Sequence, residues 1–172
     1  MAEALSTVFL DRDGVINAKA PEPDYIESWA DFEFLPGALD AIAALRAAGL
    51  RLVVVTNQRG VALGRMTAGD VEDIHRRMVD AGVAVDRVYY CPHGKGECDC
   101  RKPGTGMFEQ AARELPGVAL DRTAAIVGDS EIDMEAGRAL GLVLVKVGPE
   151  QSPVDHACAS LAEAADWLLA SR

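Results

Sequence analysis

Positive charge is scarce in this sequence. Against 27 Asp and Glu there are only 17 Lys and Arg, a formal net charge of −10 at neutral pH. No basic face is available to neutralise nucleic-acid phosphates or to hold an anionic bilayer, so neither is expected as a partner. Long apolar runs are missing as well: none approaches the ~20 residues that cross a bilayer. Residues 1–6 carry neither the basic stretch nor the apolar core of a secretory leader, which makes a cytoplasmic placement the expectation. Internal repeats, low-complexity tracts and linkers are absent too, and Gly and Pro are spread as turn punctuation. Cysteine is limited to four residues, and three of them crowd around a histidine within ten positions. In a chain of cytoplasmic type that pattern reads as a metal site rather than a disulfide framework.

What is present is a chain of 172 residues, 49% hydrophobic, enough for one domain over 1–172 that buries roughly 70% of its unfolded surface. Five short β-branched or apolar runs read as buried strands: 6–10, 51–56, 85–90, 124–128 and 142–146. Helix-period stretches lie between and after them, at 37–48, 67–81, 106–115, 132–140 and 161–170. Thr67 opens one, and Gly49, Gly82 and Gly141 close three. Alternation of this kind predicts an α/β fold, a Rossmann-like parallel sheet sandwiched by helices. Chemistry in such sheets sits beyond the carboxyl ends of the strands. Asp11, Thr56, Cys91 and Asp129 fall at or just after such ends, so four segments are expected to converge on one crevice. The longest structureless stretches, 18–34 and 92–105, are long enough to carry function.

Five constellations can carry chemistry. In Asp11-Arg12-Asp13-Gly14, two carboxylates two residues apart follow a strand, and Gly14 lets the backbone turn sharply. Asp11 can bind a hard divalent ion and offer a free oxygen to phosphorus, while Asp13 handles the proton of the leaving group and then of water. An isolated Asp-x-Asp is more commonly an acidic turn capping a strand. Thr56-Asn57-Gln58 supplies uncharged hydrogen-bonding groups after an apolar strand. Arg101-Lys102-Pro103 places two cations together in an acidic chain, Lys102 as a point charge for a phosphoryl group and Arg101 as a fork for a second oxyanion. Gly128-Asp129 again runs from strand into acid, and Asp129 can complete an octahedral magnesium site. Asp133, one turn later, either supports that site or favours its helix N-terminus, and the supporting role is expected. Finally, Cys91, His93, Cys98 and Cys100 offer three thiolates and one imidazole, a closed tetrahedral set suited to structural zinc, in a loop that ends directly at Arg101 and Lys102. Cys158 lies apart and reads as a small apolar filler.

In this order the motifs Asp-Arg-Asp-Gly-Val-Ile-Asn, Thr-Asn-Gln, Cys-x-His…Cys-x-Cys-Arg-Lys-Pro and Gly-Asp-x-x-x-Asp span nearly the whole chain. Together they resemble the haloacid dehalogenase superfamily of aspartate-nucleophile phosphatases. Within it, the sequence is similar to the zinc-loop branch of heptose 1,7-bisphosphate 7-phosphatases and histidinol-phosphate phosphatases. The stretch 56–67 is closer to the heptose enzymes. The resemblance implies a fold with no large cap domain, since 17–37 and 56–91 leave no room for one. It implies a small sugar phosphate as substrate and asks for no more than a monomer. Asp11 is then the nucleophile and Asp13 the acid/base. Lys102 stabilises charge, and Arg12, Thr56, Asn57, Gln58, Arg59 and Arg101 make phosphate or substrate contacts. Catalytic Mg2+ sits on Asp11, Asp129 and the Asp13 carbonyl, and structural Zn2+ on Cys91, His93, Cys98 and Cys100. The sequence departs from the branch in three places: only four residues separate His93 from Cys98, Ser130 stands where a Lys or Arg is common, and 18–22 do not match the heptose enzymes' sugar-contacting loop. The competing expectations are a histidinol-phosphate phosphatase and a non-catalytic zinc-stabilised interaction domain.

Overall fold

The computed structural model describes residues 4–149 and 153–171. Residues 1–3, which open the stretch read for a leader, lie outside the described residues. Among the described residues there are six strands: β1 Thr7–Leu10, β2 Arg51–Asn57, β3 Arg87–Cys91, β4 Ala124–Gly128, β5 Val143–Val147 and β6 His156–Cys158. Five α-helices accompany them: α1 Ala38–Ala47, α2 Ala68–Asp80, α3 Gly106–Glu114, α4 Glu131–Leu140 and α5 Leu161–Ala170. A 3-10 turn, Trp29–Asp31, interrupts the first long loop. The sequence-based elements therefore stand, with ends moved by a residue or two. The exception is β6, which the sequence pattern does not predict.

All strand pairs are parallel, in the order β3-β2-β1-β4-β5-β6. Side chains alternate faces along each strand. Val8, Leu10, Leu52, Val54, Ala125 and Val127 thus join one core with Ile42 and Leu45 of α1 and Leu161, Ala164 and Leu168 of α5. Phe9, Val53, Val55 and Ile126 face the opposite core, with Met107 and Phe108 of α3 and Met134 and Ala136 of α4. Phe9 and Phe108 meet at 4.9 Å between ring centroids. A sheet buried on both faces explains why these strands read as continuous apolar runs. No helix among the described residues is long and apolar enough to cross a membrane.

Because every strand runs the same way, all carboxyl ends emerge on one edge. Chain order reverses beside β1, which pairs with β2 on one side and β4 on the other. The crevice at such a switch point receives the residues following both strands. Here these are Asp11 and Asp129.

Candidate active site

Asp11 continues the ladder beyond β1, its N–H donating to the Val127 carbonyl at 3.0 Å. Its Oδ1 accepts from the Arg12 N–H at 2.9 Å and from Lys102 Nζ at 2.9 Å. Lys102, 2% exposed, places its remaining donors on Asp133 Oδ1 at 2.6 Å and on the Val55 carbonyl at 2.8 Å. An ammonium this deeply buried persists only when every proton is accepted and its charge is paired. Burial alone lowers its proton affinity, but Asp11 and Asp133 outweigh burial and raise it. Burial, and then the charge of Asp133, push Asp11 up to about 8, because Lys102 cannot offset three neighbouring carboxylates.

Asp129 closes the group. Its Oδ2 pairs with Lys19 Nζ at 2.5 Å, its main-chain carbonyl accepts from Lys146 Nζ at 2.6 Å, and its Oδ1 is buried without a partner. Gly14, at φ +85°, is what admits it: a Cβ there would lie 2.2 Å from Asp129 Oδ2. Asp133 accepts from the Ser130 N–H and hydroxyl through Oδ2, in the capping box of α4. Both its oxygens are therefore committed, one to the helix and one to Lys102, which is the arrangement of a supporting residue. Carboxylate oxygens of Asp11, Asp129 and Asp133 lie within 4.8 Å of one another, and the orphaned Asp129 oxygen is an open position for a cation.

Asp13 lies in a different setting. Arg12 grips it through Nε at 3.1 Å and Nη2 at 3.0 Å, and Asn17 and Gln58 donate to it at 2.8 and 3.3 Å. Burial pushes its carboxyl up, yet the Arg12 charge and these hydrogen bonds prevail and hold it below the ordinary carboxylate value. Arg12, expected among the phosphate contacts, is instead fully buried behind Asp13, and its guanidinium has no face toward solvent. Gln58 also turns inward, its amide donating to Thr56 Oγ1 at 2.9 Å as well as to Asp13. That leaves the Thr56 hydroxyl proton free to donate. Asn57 exchanges two hydrogen bonds with the Lys102 main chain, at 3.0 and 3.1 Å, and so ties the end of β2 to the loop that carries the lysine.

Cys91, expected in the carboxylate crevice, ends β3 and heads a separate cluster with His93, Cys98 and Cys100. Five of the sulfur–sulfur and sulfur–Nδ1 separations there are 3.1–3.5 Å, with no disulfide. Burial opposes ionisation of Cys98, but the hydrogen bond from Cys100 and two main-chain N–H groups draw that thiol down to about 7. Four such donors at these separations can hold a metal ion. Cys158 stays apart in β6.

Between this cluster and the carboxylates runs a cleft of about 990 Å3 lined by Asn57, Arg59, Lys95, Arg101 and Lys102. A second cavity, of about 430 Å3, shares Asn57, Arg59 and Lys95 with it and reaches Asp13 and Lys19. Arg59 Nε and Arg101 Nη1 are buried there without hydrogen-bond partners. Sequence reasoning missed Lys19, His75 and Lys146. Of these, only Lys146 left a signal, as a charge inside the apolar run of β5.

A model of the haloacid dehalogenase-like hydrolases matches residues 3–141. The chain belongs to that family. Among relatives of this hydrolase, the D-glycero-beta-D-manno-heptose-1,7-bisphosphate 7-phosphatase of Escherichia coli is 39% identical over 187 aligned positions, covering 99% of this chain and 92% of the relative. The D-glycero-alpha-D-manno-heptose-1,7-bisphosphate 7-phosphatase of Mycobacterium bovis is 44% identical over 133 positions, covering 74% and 69%. The crystal structure of the D,D-heptose 1,7-bisphosphate phosphatase of B. bronchiseptica, complexed with magnesium and phosphate, superposes with a TM-score of 0.88 at 33% identity, covering 98% of this chain and 100% of that one.

Proposed function

We propose that this hydrolase removes the 7-phosphate of D-glycero-D-manno-heptose 1,7-bisphosphate by way of a phospho-aspartate. The observation that carries the reading is the strand-end group of Asp11, Asp129, Asp133 and Lys102, joined to a cleft whose arginines hold unpartnered buried N–H groups. Relatives of that name match nearly the whole chain.

Asp11 attacks phosphorus. The Asp11 O–P bond forms as the bond to the sugar oxygen breaks, and Asp13 gives its proton to that oxygen. Asp13 then takes a proton from water as the water attacks the phosphorus of the acyl phosphate, which returns Asp11 as a carboxylate and releases phosphate. Arg12 keeps the free Asp13 ionised, which suits the second half. A phosphate dianion bound beside it raises its proton affinity, so that substrate binding loads the acid for the first half. Lys102 holds Asp11 in place, and the Thr56 hydroxyl is available to a phosphoryl oxygen. Arg59, Arg101 and Lys95 would receive the second phosphate, satisfying the N–H groups left open in the cleft.

Asp11, Asp129 and the Asp13 carbonyl would hold Mg2+. Such an ion offsets the repulsion between carboxylate and phosphate and polarises the phosphoryl group. The Asp129 oxygen without a partner and the raised Asp11 carboxyl fit a site built for a cation. Cys91, His93, Cys98 and Cys100 would hold structural Zn2+. A tetrahedron with zinc–ligand bonds of ~2.0–2.3 Å has edges of about 3.5 Å between sulfur and nitrogen and about 3.8 Å between sulfurs; Cys91 and His93 at 3.5 Å meet the first, and the sulfur pairs of Cys91 with Cys98 and Cys100, at 3.5 and 3.1 Å, fall short of the second.

The test is 31P NMR of the products from both anomers of the bisphosphate, with histidinol phosphate as comparator. Loss of the 7-phosphate with the 1-phosphate retained is expected. A larger kcat/KM for histidinol phosphate, or turnover undiminished in Asp11→Asn, overturns the reading.

A further inference from the structure

Arg12 is an expensive group to bury, and the way its donors are placed explains why it is there. Nε and Nη2 form a fork on Asp13, Nη2 also reaches Gln58 Oε1 at 3.4 Å, and Nη1 lies 3.0 Å from His75 Nε2. The guanidinium carbon stands 5.9 Å from the centre of the Phe32 ring. A guanidinium can only donate, so His75 Nε2 accepts and the imidazole is neutral with its proton on Nδ1. Burial, and then the Arg12 charge, drive the His75 pKa down to about 3, in keeping with that state. His75 is itself held: it is buried on the inner face of α2 beside Ile74 and Met78, and it packs edge-on against Tyr90 at 5.7 Å. A rigid line therefore runs from α2 through an imidazole and a guanidinium to the carboxylate that handles the proton. Neither Arg12 nor His75 is placed to touch a substrate.

We infer that His75 and Arg12 are positioning residues, with α2 fixing the plane of the Asp13 carboxylate through the His75–Arg12 hydrogen bond so that its proton is aimed at the leaving oxygen. The inference rests on the acid/base role proposed for Asp13. Without the imidazole acceptor one guanidinium N–H is orphaned in the interior, and the fork can swing to find another partner. Proton transfer suffers from such a swing before binding does.

The leaving group separates this role from a merely structural one. In a two-step phosphatase, kcat/KM covers only the steps up to departure of the alcohol. A sugar alkoxide needs the Asp13 proton, whereas 4-nitrophenolate leaves without it. His75→Leu removes the acceptor, and His75→Gln returns one, since Gln Oε1 sits the same number of bonds from the main chain as His Nε2. For heptose bisphosphate, His75→Leu is expected to lower kcat/KM about tenfold or more with KM little changed, a portion of the ~10²–10⁴ that acid–base catalysis supplies. For 4-nitrophenyl phosphate it is expected to change kcat/KM by less than about threefold, and His75→Gln is expected to restore most of the sugar-phosphate rate. Should His75→Leu fail to fold, His75→Asn against His75→Gln makes the same comparison, because the Asn oxygen falls one bond short of Arg12. Equal losses on both substrates, or none, overturn the inference. Asp13→Asn serves as control. If it abolishes turnover of the sugar phosphate while the His75 variants behave as wild type, only the positioning role falls. If Asp13→Asn retains that turnover, the acid/base reading and this inference fall together.

Discussion

Asp11 and Asp13 are two residues apart in sequence, yet their surroundings push them in opposite directions. Asp11 is buried among carboxylates with one ammonium to share, and its carboxyl rises from 3.8 to about 8. Asp13 sits in a guanidinium fork and falls. Three expected outcomes belong to this scale. Burial and the neighbouring carboxylates raise the Asp11 carboxyl, so in the metal-free protein a divalent cation competes with a proton for it. Mg2+ binding should therefore release protons below about pH 8 and cease to do so above it, read by calorimetry in buffers of differing ionisation enthalpy. For stability, the native state binds more protons than the unfolded chain between 3.8 and about 8. The contribution of Asp11 is thus full at low pH and is lost as pH rises through about 8. With chelator present, the melting temperature of Asp11→Asn should gain on wild type across that interval. Gly14 offers a steric test: Gly14→Ala brings a methyl into Asp129 and demands a left-handed backbone, and should cost ~1–3 kcal/mol along with most of the activity, read by denaturant melts and phosphate release.

Among the elements, two hold the buried Lys102 ammonium in place from opposite sides. The N-terminus of α4 presents Asp133, whose one oxygen caps the helix and whose other meets Lys102. Gly128 lets the helix approach, since a Cβ there would lie 2.3 Å from the Asp133 Cβ. Asp133→Asn leaves a buried ammonium with one carboxylate fewer, and a loss of about 3–5 kcal/mol by urea unfolding is the expected cost. The cysteine loop works from the other side, delivering Arg101 and Lys102 immediately after Cys100. Cys98→Ser should lower bound zinc, measured by mass spectrometry, and reduce stability by roughly 3 kcal/mol, or about 6–12 °C in Tm. Turnover should fall with it, because Lys102 is tied to β2 only through the Asn57 amide and its own ammonium. At this scale the sequence was legible where periodicity was strong, as in α2 with its Thr67 cap and apolar Val71, Ile74 and Met78. It was illegible at β6, three residues whose strand character comes from pairing with Val145–Val147 rather than from their own pattern.

For the whole molecule, the problem is to admit an anion into a protein of net charge −10. The scarce cations Arg59, Lys95, Arg101 and Lys102 line one cleft together with Glu22, Asp99 and Glu109, so its lining is far less acidic than the chain as a whole, and the unpartnered N–H groups of Arg59 and Arg101 are its points of attraction for an anion. Arg59→Ala or Arg101→Ala should therefore raise KM for the bisphosphate about tenfold while barely altering kcat/KM for a monophosphate, by steady-state kinetics. The sequence by itself determined the alternation of strand and helix, and with it the parallel sheet. It also determined that Asp11, Thr56 and Asp129 stand at strand ends, and that three cysteines and a histidine share one loop. These are local facts, fixed by apolar period and by spacing along the chain. Only the tertiary structure decided that Arg12 turns inward to grip Asp13 rather than outward to a phosphate, that His75 from α2 reaches it, and that Lys19 and Lys146 converge on Asp129. The direction of the buried Arg12 is set by His75 and Gln58, dozens of residues away, because an ion leaves water only where other segments complete its hydrogen bonds.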